Sequence, residues 1–171
     1  MKKIFIPKAS YTCAENIEFD LLKKLGIINL CFDLDNTLGL YDQALPSKEK
    51  IKLVNNLKKM GFNVFVISNN NKERVGIFSN PLNCMYLSNA RKPGTKRMDL
   101  FFKEKNIDKN TVAMIGDQVM TDVLVANKLG VFSILLKPIS KNELLRTKFN
   151  RKIESIVKLI LGINYNKKIN L

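Results

Sequence analysis

The sequence predicts an α/β fold, with a parallel sheet of about five strands and helices on both faces. Three observations carry that expectation. Short apolar runs alternate with helix-like segments along the chain. The runs are nearly continuous rather than alternating, which marks strands buried on both faces. No internal repeat, long linker or low-complexity block breaks the alternation. Strands that alternate with helices imply right-handed crossovers and a covered parallel sheet. The 171 residues suit one domain spanning 1–171, long enough to bury a core without staples.

The elements follow in order. Ile27 to Asp33 is a β-rich run that ends in acids. Ser47 to Met60 reads as a helix, with Ser47 as N-cap and Gly61 as the stop. Phe62 to Ile67 is a second strand, and Asn71 to Asn80 a helix halted by Pro81. Met85 to Leu87 is a short third strand. Lys96 to Asn106 is a helix and Val112 to Ile115 a fourth strand. Val119 to Leu129 is a helix closed by Gly130, and Val131 to Leu136 a fifth strand stopped by Pro138.

A basic amphipathic helical segment is expected at about 141–163. Phe149, Ile153, Ile156, Val157, Ile160 and Leu161 fall on one helical face. Residues 141–171 carry eight Lys and Arg against Glu143 and Glu154. Two compatible readings stay open. The segment closes the sheet with a solvated basic face, or it meets a membrane surface or a partner.

Composition removes several chemistries. Hydrophobic residues at 46% and charged ones at 26% are ordinary for a globular chain. There is no His, so no imidazole base, His ligand or Ser-His-Asp triad exists, and acid–base work falls to carboxylates, Lys or Tyr. Cys13, Cys31 and Cys84 are odd in number and widely spaced, which suits small buried thiols in a reducing compartment rather than a zinc site. The net charge of +14 points to nucleic acid, an acidic membrane surface or a phosphorylated substrate, or else reflects a general abundance of Lys and Asn. Nucleic acid is the least favoured of these, because no aromatic run is interleaved with the basic residues. The apolar start ends at Pro7-Lys8, and no stretch approaches the roughly 20 apolar residues of a spanning helix. A cytoplasmic chain, peripheral to a membrane, is expected, and an oligomer is compatible with it.

Ligands of open α/β sheets bind beyond the carboxyl ends of the strands. Those ends are polar throughout. The first carries Asp33-Leu34-Asp35-Asn36-Thr37, the second Ser68-Asn69-Asn70-Asn71, the third is followed by Arg91-Lys92-Pro93, and the fourth ends in Gly116-Asp117 with Asp122 just beyond. Carboxylates at i and i+2 leave a strand end on one side, so one can attack while the other handles protons. So many acids repel one another unless a divalent cation neutralises them, and oxygen ligands suit magnesium. Lys92 and the Ser68 hydroxyl add charge and a donor for phosphate oxygens. Nucleophile, metal and electrostatic clamp together are the equipment of phosphoryl transfer.

Asp33-x-Asp35-x-Thr37, Ser68, Lys92 and Gly116-Asp117-x4-Asp122 resemble the four ordered motifs of haloacid dehalogenase (HAD) phosphatases. Ser68-Asn69-Asn70-Asn71, Ala90-Arg91-Lys92-Pro93, Ile115-Gly116-Asp117-Gln118, Thr121-Asp122-Val123-Leu124 and Thr147-Lys148-Phe149-Asn150-Arg151 resemble the bacterial YqeG subfamily of subclass IIIA, itself similar to mitochondrial phosphatidylglycerophosphate phosphatases. The likeness runs from about residue 4 to about 160. It departs at Gly39-Leu40-Tyr41, where Val and then a Trp two residues on would be expected.

The resemblance implies a HAD-like Rossmannoid fold. It implies Asp33 as nucleophile and magnesium ligand, forming an aspartyl-phosphate. Asp35 would protonate the leaving oxygen, activate water, and lend its backbone carbonyl to the metal. Ser68, Lys92 and the Asn69 backbone N–H would hold the phosphoryl oxygens. Thr37, grouped with these phosphate-binding residues, would give local hydrogen-bonding support. Asp117 would bind magnesium, and Asp122 would hold a metal-bound water or Lys92. No sizeable cap domain fits between Asn36 and Pro46 or between Ser68 and Lys92. An open site of this kind goes, in the family, with large or surface-borne substrates, or with a cap supplied by another subunit. A lipid phosphomonoester such as phosphatidylglycerophosphate is the expected substrate. A sugar phosphate, a nucleic-acid end, a non-catalytic phosphate-binding role and a receiver-type phosphoacceptor are the alternatives.

Overall fold

The computed structural model describes residues 2–140 and 155–169. It holds a six-stranded, wholly parallel sheet in the order β1-β6-β5-β2-β3-β4. The strands are β1 (Ala9–Tyr11), β2 (Asn29–Phe32), β3 (Asn63–Ile67), β4 (Met85–Leu87), β5 (Val112–Gly116) and β6 (Phe132–Leu136). The helices are α1 (Phe19–Lys24), α2 (Lys48–Lys59), α3 (Lys72–Ser79), α4 (Lys96–Glu104) and α5 (Leu124–Leu129). The five expected strands are all present. The sixth, β1, is a three-residue strand at the edge of the sheet that pairs with β6.

Alternating residues of each strand face opposite layers. Leu30 and Phe32 of β2 pack with Leu22 of α1, Val54 and Leu57 of α2, and Val75 and Phe78 of α3. Cys31, between them, packs with Met98, Phe101 and Phe102 of α4 and with Val125 and Ala126 of α5. Burial on both sides is why β2 reads as an unbroken apolar run. Truncating a fully buried aromatic such as Phe32 to Ala costs about 3–5 kcal/mol at such positions.

Local chemistry sets the helix ends. Ser47 Oγ accepts from the Lys50 N–H at 3.4 Å, and Asn71 Oδ1 from the Arg74 N–H at 2.9 Å. Gly61 and Gly130 follow α2 and α5 with φ of 88° and 77°, a left-handed turn that glycine adopts without a Cβ penalty. The helix expected from Val119 begins as a π-helical turn, Val119–Val123, before α5.

Of the expected carboxyl-terminal segment, residues 141–154 lie outside the described residues, including Phe149, Ile153 and the Thr147–Arg151 motif. Residues 155–160 are helical. Val157 packs with Ile163 and Tyr165 against Val119, Val123 and Leu135. Ile156, Leu159 and Ile160 are exposed. Among the described residues no helix is long and apolar enough to cross a membrane.

Candidate active site

Strand order determines where the chemistry gathers. β2 lies between β3 and β5, and the chain leaves it toward β3 first. The carboxyl end of β2 is therefore the switch point of the sheet, the place where open α/β folds bind ligands. Asp33 stands there, its N–H donating to the Ile115 carbonyl at 2.8 Å. A cleft of about 250 Å³ opens above it, lined by Asp33, Asp35, Tyr41, Ser68, Asn69, Asn70, Lys92, Gln118 and Thr121. Among the described residues no cap domain is inserted. Only a loop joins β2 to α2, and only α3 and β4 stand between Ser68 and Lys92.

A buried chain of charge forms the floor. Lys92 Nζ donates to Asp33 Oδ1 and Asp122 Oδ1, both at 2.6 Å, and to the Ile67 carbonyl at 3.1 Å. The Lys92 side chain is 2% exposed. Burial alone would push its ammonium down, but Asp122 and Asp33 outweigh that and hold it above its ordinary value. Asp33 is driven well above the usual carboxylate range. Burial is the main cause, Asp122 and Asp117 add to it, and Lys92 opposes it. Burial also pushes the nearby Cys31 thiol up to about 12, against the pull of Lys92, so it remains a neutral core group.

Asp33, Asp117 and Asp122 offer carboxylate oxygens that all lie within 4.8 Å of one another. With one buried Lys among three buried acids, the formal charge is negative. A hard divalent cation fits both that deficit and the all-oxygen donors. Asp122 is held through both of its carboxylate oxygens. Its Oδ1 meets Lys92, and its Oδ2 accepts from the Gln118 N–H at 3.1 Å. Gly116 makes room for it, because a Cβ there would run into the Asp122 carboxylate.

The remaining sequence-predicted residues take distinct places. Asp35 sits at the cleft rather than in the acid cluster. Its Oδ1 accepts from Arg74 Nη2 and its Oδ2 from Asn70 Nδ2, each at 2.9 Å. Ser68 lines the cleft, and its Oγ accepts from the Asn70 N–H at 3.1 Å. The Asn69 side chain clamps Lys92 at two points: Nδ2 donates to the Lys92 carbonyl at 2.9 Å, and Oδ1 accepts from the Lys92 N–H at 2.7 Å. Thr37 is different. It is 2% exposed and absent from the cleft lining, and its hydroxyl meets no partner among the described residues. Backbone hydrogen bonds hold the turn around it. The Leu34 carbonyl accepts from the N–H groups of Thr37, Leu38 and Gly39, and Asn36 turns the chain at a φ of 63°.

Arg74, Asn70 and Gln118 are contacts to which sequence reading gave no role. Asn70 and Gln118 stand inside motifs that the sequence displays, and Arg74 follows the second of the four motifs closely. The carboxyl-terminal segment also reaches the site, where Lys158 Nζ donates to the Asp117 carbonyl at 3.5 Å and to Tyr165 Oη at 3.0 Å.

Comparison with known proteins agrees with this geometry. The sequence pattern of the family described as mitochondrial PGP phosphatase matches residues 1–140. The probable phosphatase YqeG of Bacillus subtilis is 34% identical over 154 residues, covering 90% of each chain. The chloroplastic and mitochondrial phosphatidylglycerophosphate phosphatase 1 of Arabidopsis thaliana is 22% identical, over 83% of this chain but only 43% of its own length. An uncharacterized protein from Listeria monocytogenes shares the fold with a TM-score of 0.55 at 15% identity, over 80% of this chain and 99% of its own. The chain belongs to the mitochondrial PGP phosphatase family and is a YqeG-like phosphatase.

Proposed function

We propose that this protein is a magnesium-dependent phosphomonoester hydrolase that works through an aspartyl-phosphate on Asp33 and acts on a lipid phosphate such as phosphatidylglycerophosphate. The observation that carries the reaction is the floor of the cleft. A buried Lys92 orients Asp33 through one carboxylate oxygen, and Asp35 waits at the cleft 2.9 Å from each of two fixed donors. Asp33 and Asp117 would hold the cation through their carboxylates, and Asp35 through its backbone carbonyl. When bound, the ion neutralises the acids and draws charge from the phosphoryl oxygens.

The residues then divide the work. Lys92 occupies Oδ1 of Asp33, so attack on phosphorus falls to Oδ2. The new Asp33–phosphorus bond forms as the bond to the leaving oxygen breaks, and Asp35 gives that oxygen its proton. Asp35 next takes a proton from water, which attacks phosphorus and releases phosphate and the Asp33 carboxylate. Lys92, the Ser68 hydroxyl and the Asn69 backbone N–H stabilise the transferring group. Asp122 holds Lys92, and Asn69 fixes the backbone that carries it.

The lipid substrate draws on the mitochondrial PGP phosphatase family and the Arabidopsis thaliana relative, on the open cleft, and on the net charge of +14. A peripheral position at an anionic membrane surface, on the cytoplasmic side, fits the same charge and the free Cys13, Cys31 and Cys84. A single domain over 1–171, its basic carboxyl-terminal segment turned to the bilayer, completes the reading.

The test is phosphate release by purified protein with magnesium, from matched lipid, sugar and oligonucleotide-end phosphates. Phosphatidylglycerophosphate in mixed micelles should be the best of the three. Faster release from a sugar phosphate or an oligonucleotide end would replace the lipid reading and leave the reaction standing.

A further inference from the structure

We infer that Arg74 is the positioning residue for Asp35, locking the acid–base group and the loop after β2 into one rigid unit. Its guanidinium is a fork with three protein acceptors. Nη2 donates to Asp35 Oδ1 and to the Leu40 carbonyl, both at 2.9 Å, and Nη1 donates to the Gln43 carbonyl. Arg74 stands on α3, whose N-cap Asn71 bonds the Arg74 N–H directly. The side chain is mostly buried, and its guanidinium carbon lies 5.8 Å from the centre of the Phe78 ring one turn on. Phe78 also seats the loop, since a Cβ on Gly39 would stand 2.5 Å from its ring. Gln43 closes the loop on itself, accepting from the Leu40 N–H at 3.2 Å and donating to the Leu45 carbonyl at 2.7 Å.

The consequence is specific to Asp35. A carboxylate on a loop can rotate, and proton transfer falls steeply when donor and acceptor lose alignment. Here Arg74 takes one oxygen and Asn70 the other. Bonds to both oxygens fix the carboxylate plane, and each oxygen keeps a further acceptor position for the proton. A planar fork does this and a point charge does not, because a Lys ammonium cannot span Asp35 and two loop carbonyls at once. Arg74 therefore acts on both proton-transfer steps through Asp35, and has no part in the attack by Asp33.

This inference rests on Asp35 as proton donor and acceptor, so the experiment tests the two separately. Magnesium-loaded enzyme is mixed rapidly with p-nitrophenyl phosphate, whose phenolate leaves without a proton. Asp35→Asn should show a burst of nitrophenol near one equivalent, followed by slow turnover as the phosphoenzyme waits for its base. Arg74→Gln should reproduce that signature, with the burst kept and the steady state slowed by about 10- to 100-fold, less than the roughly 10²- to 10⁴-fold that an acid–base group contributes, because Asp35 is displaced and not removed. Arg74→Lys, a milder change for folding, should keep the burst and fall between Arg74→Gln and the parent. Adding Arg74→Gln to Asp35→Asn should cost less than about twofold more, because both remove one function. If Asp35→Asn shows no burst with slow turnover, the assignment of Asp35 falls. If Asp35→Asn shows it but Arg74→Gln and Arg74→Lys lose the burst or raise KM alone, or if the losses multiply in the double variant, Arg74 merely supports the loop and the inference is overturned.

Discussion

Two small charge clusters in this molecule have mirrored compositions and opposite surroundings. In the floor of the cleft, Lys92 bridges Asp33 and Asp122 at 2.6 Å each, with water almost wholly excluded. On the outer face of α4, Asp99 bridges Lys103 and Lys109 at 2.9 and 3.0 Å, with Lys103 71% exposed. Geometry alone does not tell them apart. The surface cluster is screened and contributes little to stability. The buried one removes three ions from water, and such a cluster is weak evidence for stability in its own right. It also lies against the cleft, and with Asp117 beside it the charge remains negative. The surface cluster is balanced by its two lysines, whereas the buried one, with three acids to one Lys, could hold a cation.

The sharpest way to break this contrast is to neutralise one acid in each cluster. Asp33→Asn should lower turnover by roughly 10⁴- to 10⁶-fold, as loss of a covalent nucleophile does. Near-parental phosphate release from that variant would end the nucleophile assignment. Lys92→Met comes next. It should lower turnover by about 10²- to 10³-fold through loss of transition-state charge. It should also destabilise the metal-free protein by about 3–5 kcal/mol in urea, because two buried carboxylates then face each other without a countercharge. Magnesium should recover part of that loss, and a urea midpoint indifferent to Lys92 would make the buried chain energetically idle.

Acidity supplies a third, smaller effect. The folded-state value of Asp33 is raised above an unfolded value of about 4, so the folded chain holds its proton longer. Stability of the chelated protein should fall as pH rises from about 4 through that folded value. The cation competes with the same proton, so the gain in Tm on adding magnesium should grow over the same range. A magnesium increment independent of pH would argue against Asp33 as a ligand. Last, Asp99→Asn should leave both turnover and Tm within error, and a clear change in either would show that surface clusters here carry more than assumed.

The same physics explains what the sequence made legible. β2, β3 and β5 stand out because burial on both faces demands unbroken apolar runs, and Asp33, Asp117 and the others stand out because polar residues at strand ends are the exception to that demand. β1 leaves no such trace. Ala9–Tyr11 is three residues long and lies at the edge of the sheet. The π-helical turn at Val119–Val123 has no pattern of its own, since its apolar spacing differs little from the start of an α-helix. Arg74 was hidden for another reason. On a helix read by periodicity it passes for a solvated cation, and its acceptors, Leu40 and Gln43, are carbonyls of an irregular loop. Side chains that bind backbone across the fold have no signature in spacing. Thr37 shows the converse, a motif residue whose surroundings only coordinates reveal.

The central claim is that phosphorus passes through a covalent bond to Asp33. Rapid quenching of the magnesium-loaded enzyme during turnover, reduction with borohydride and peptide mass spectrometry test it directly. Reduction of an acyl-phosphate should leave homoserine at position 33, dependent on substrate and absent in Asp33→Asn. Steady phosphate release with position 33 unmodified, in Asp35→Asn enzyme where the intermediate should accumulate, would contradict the account.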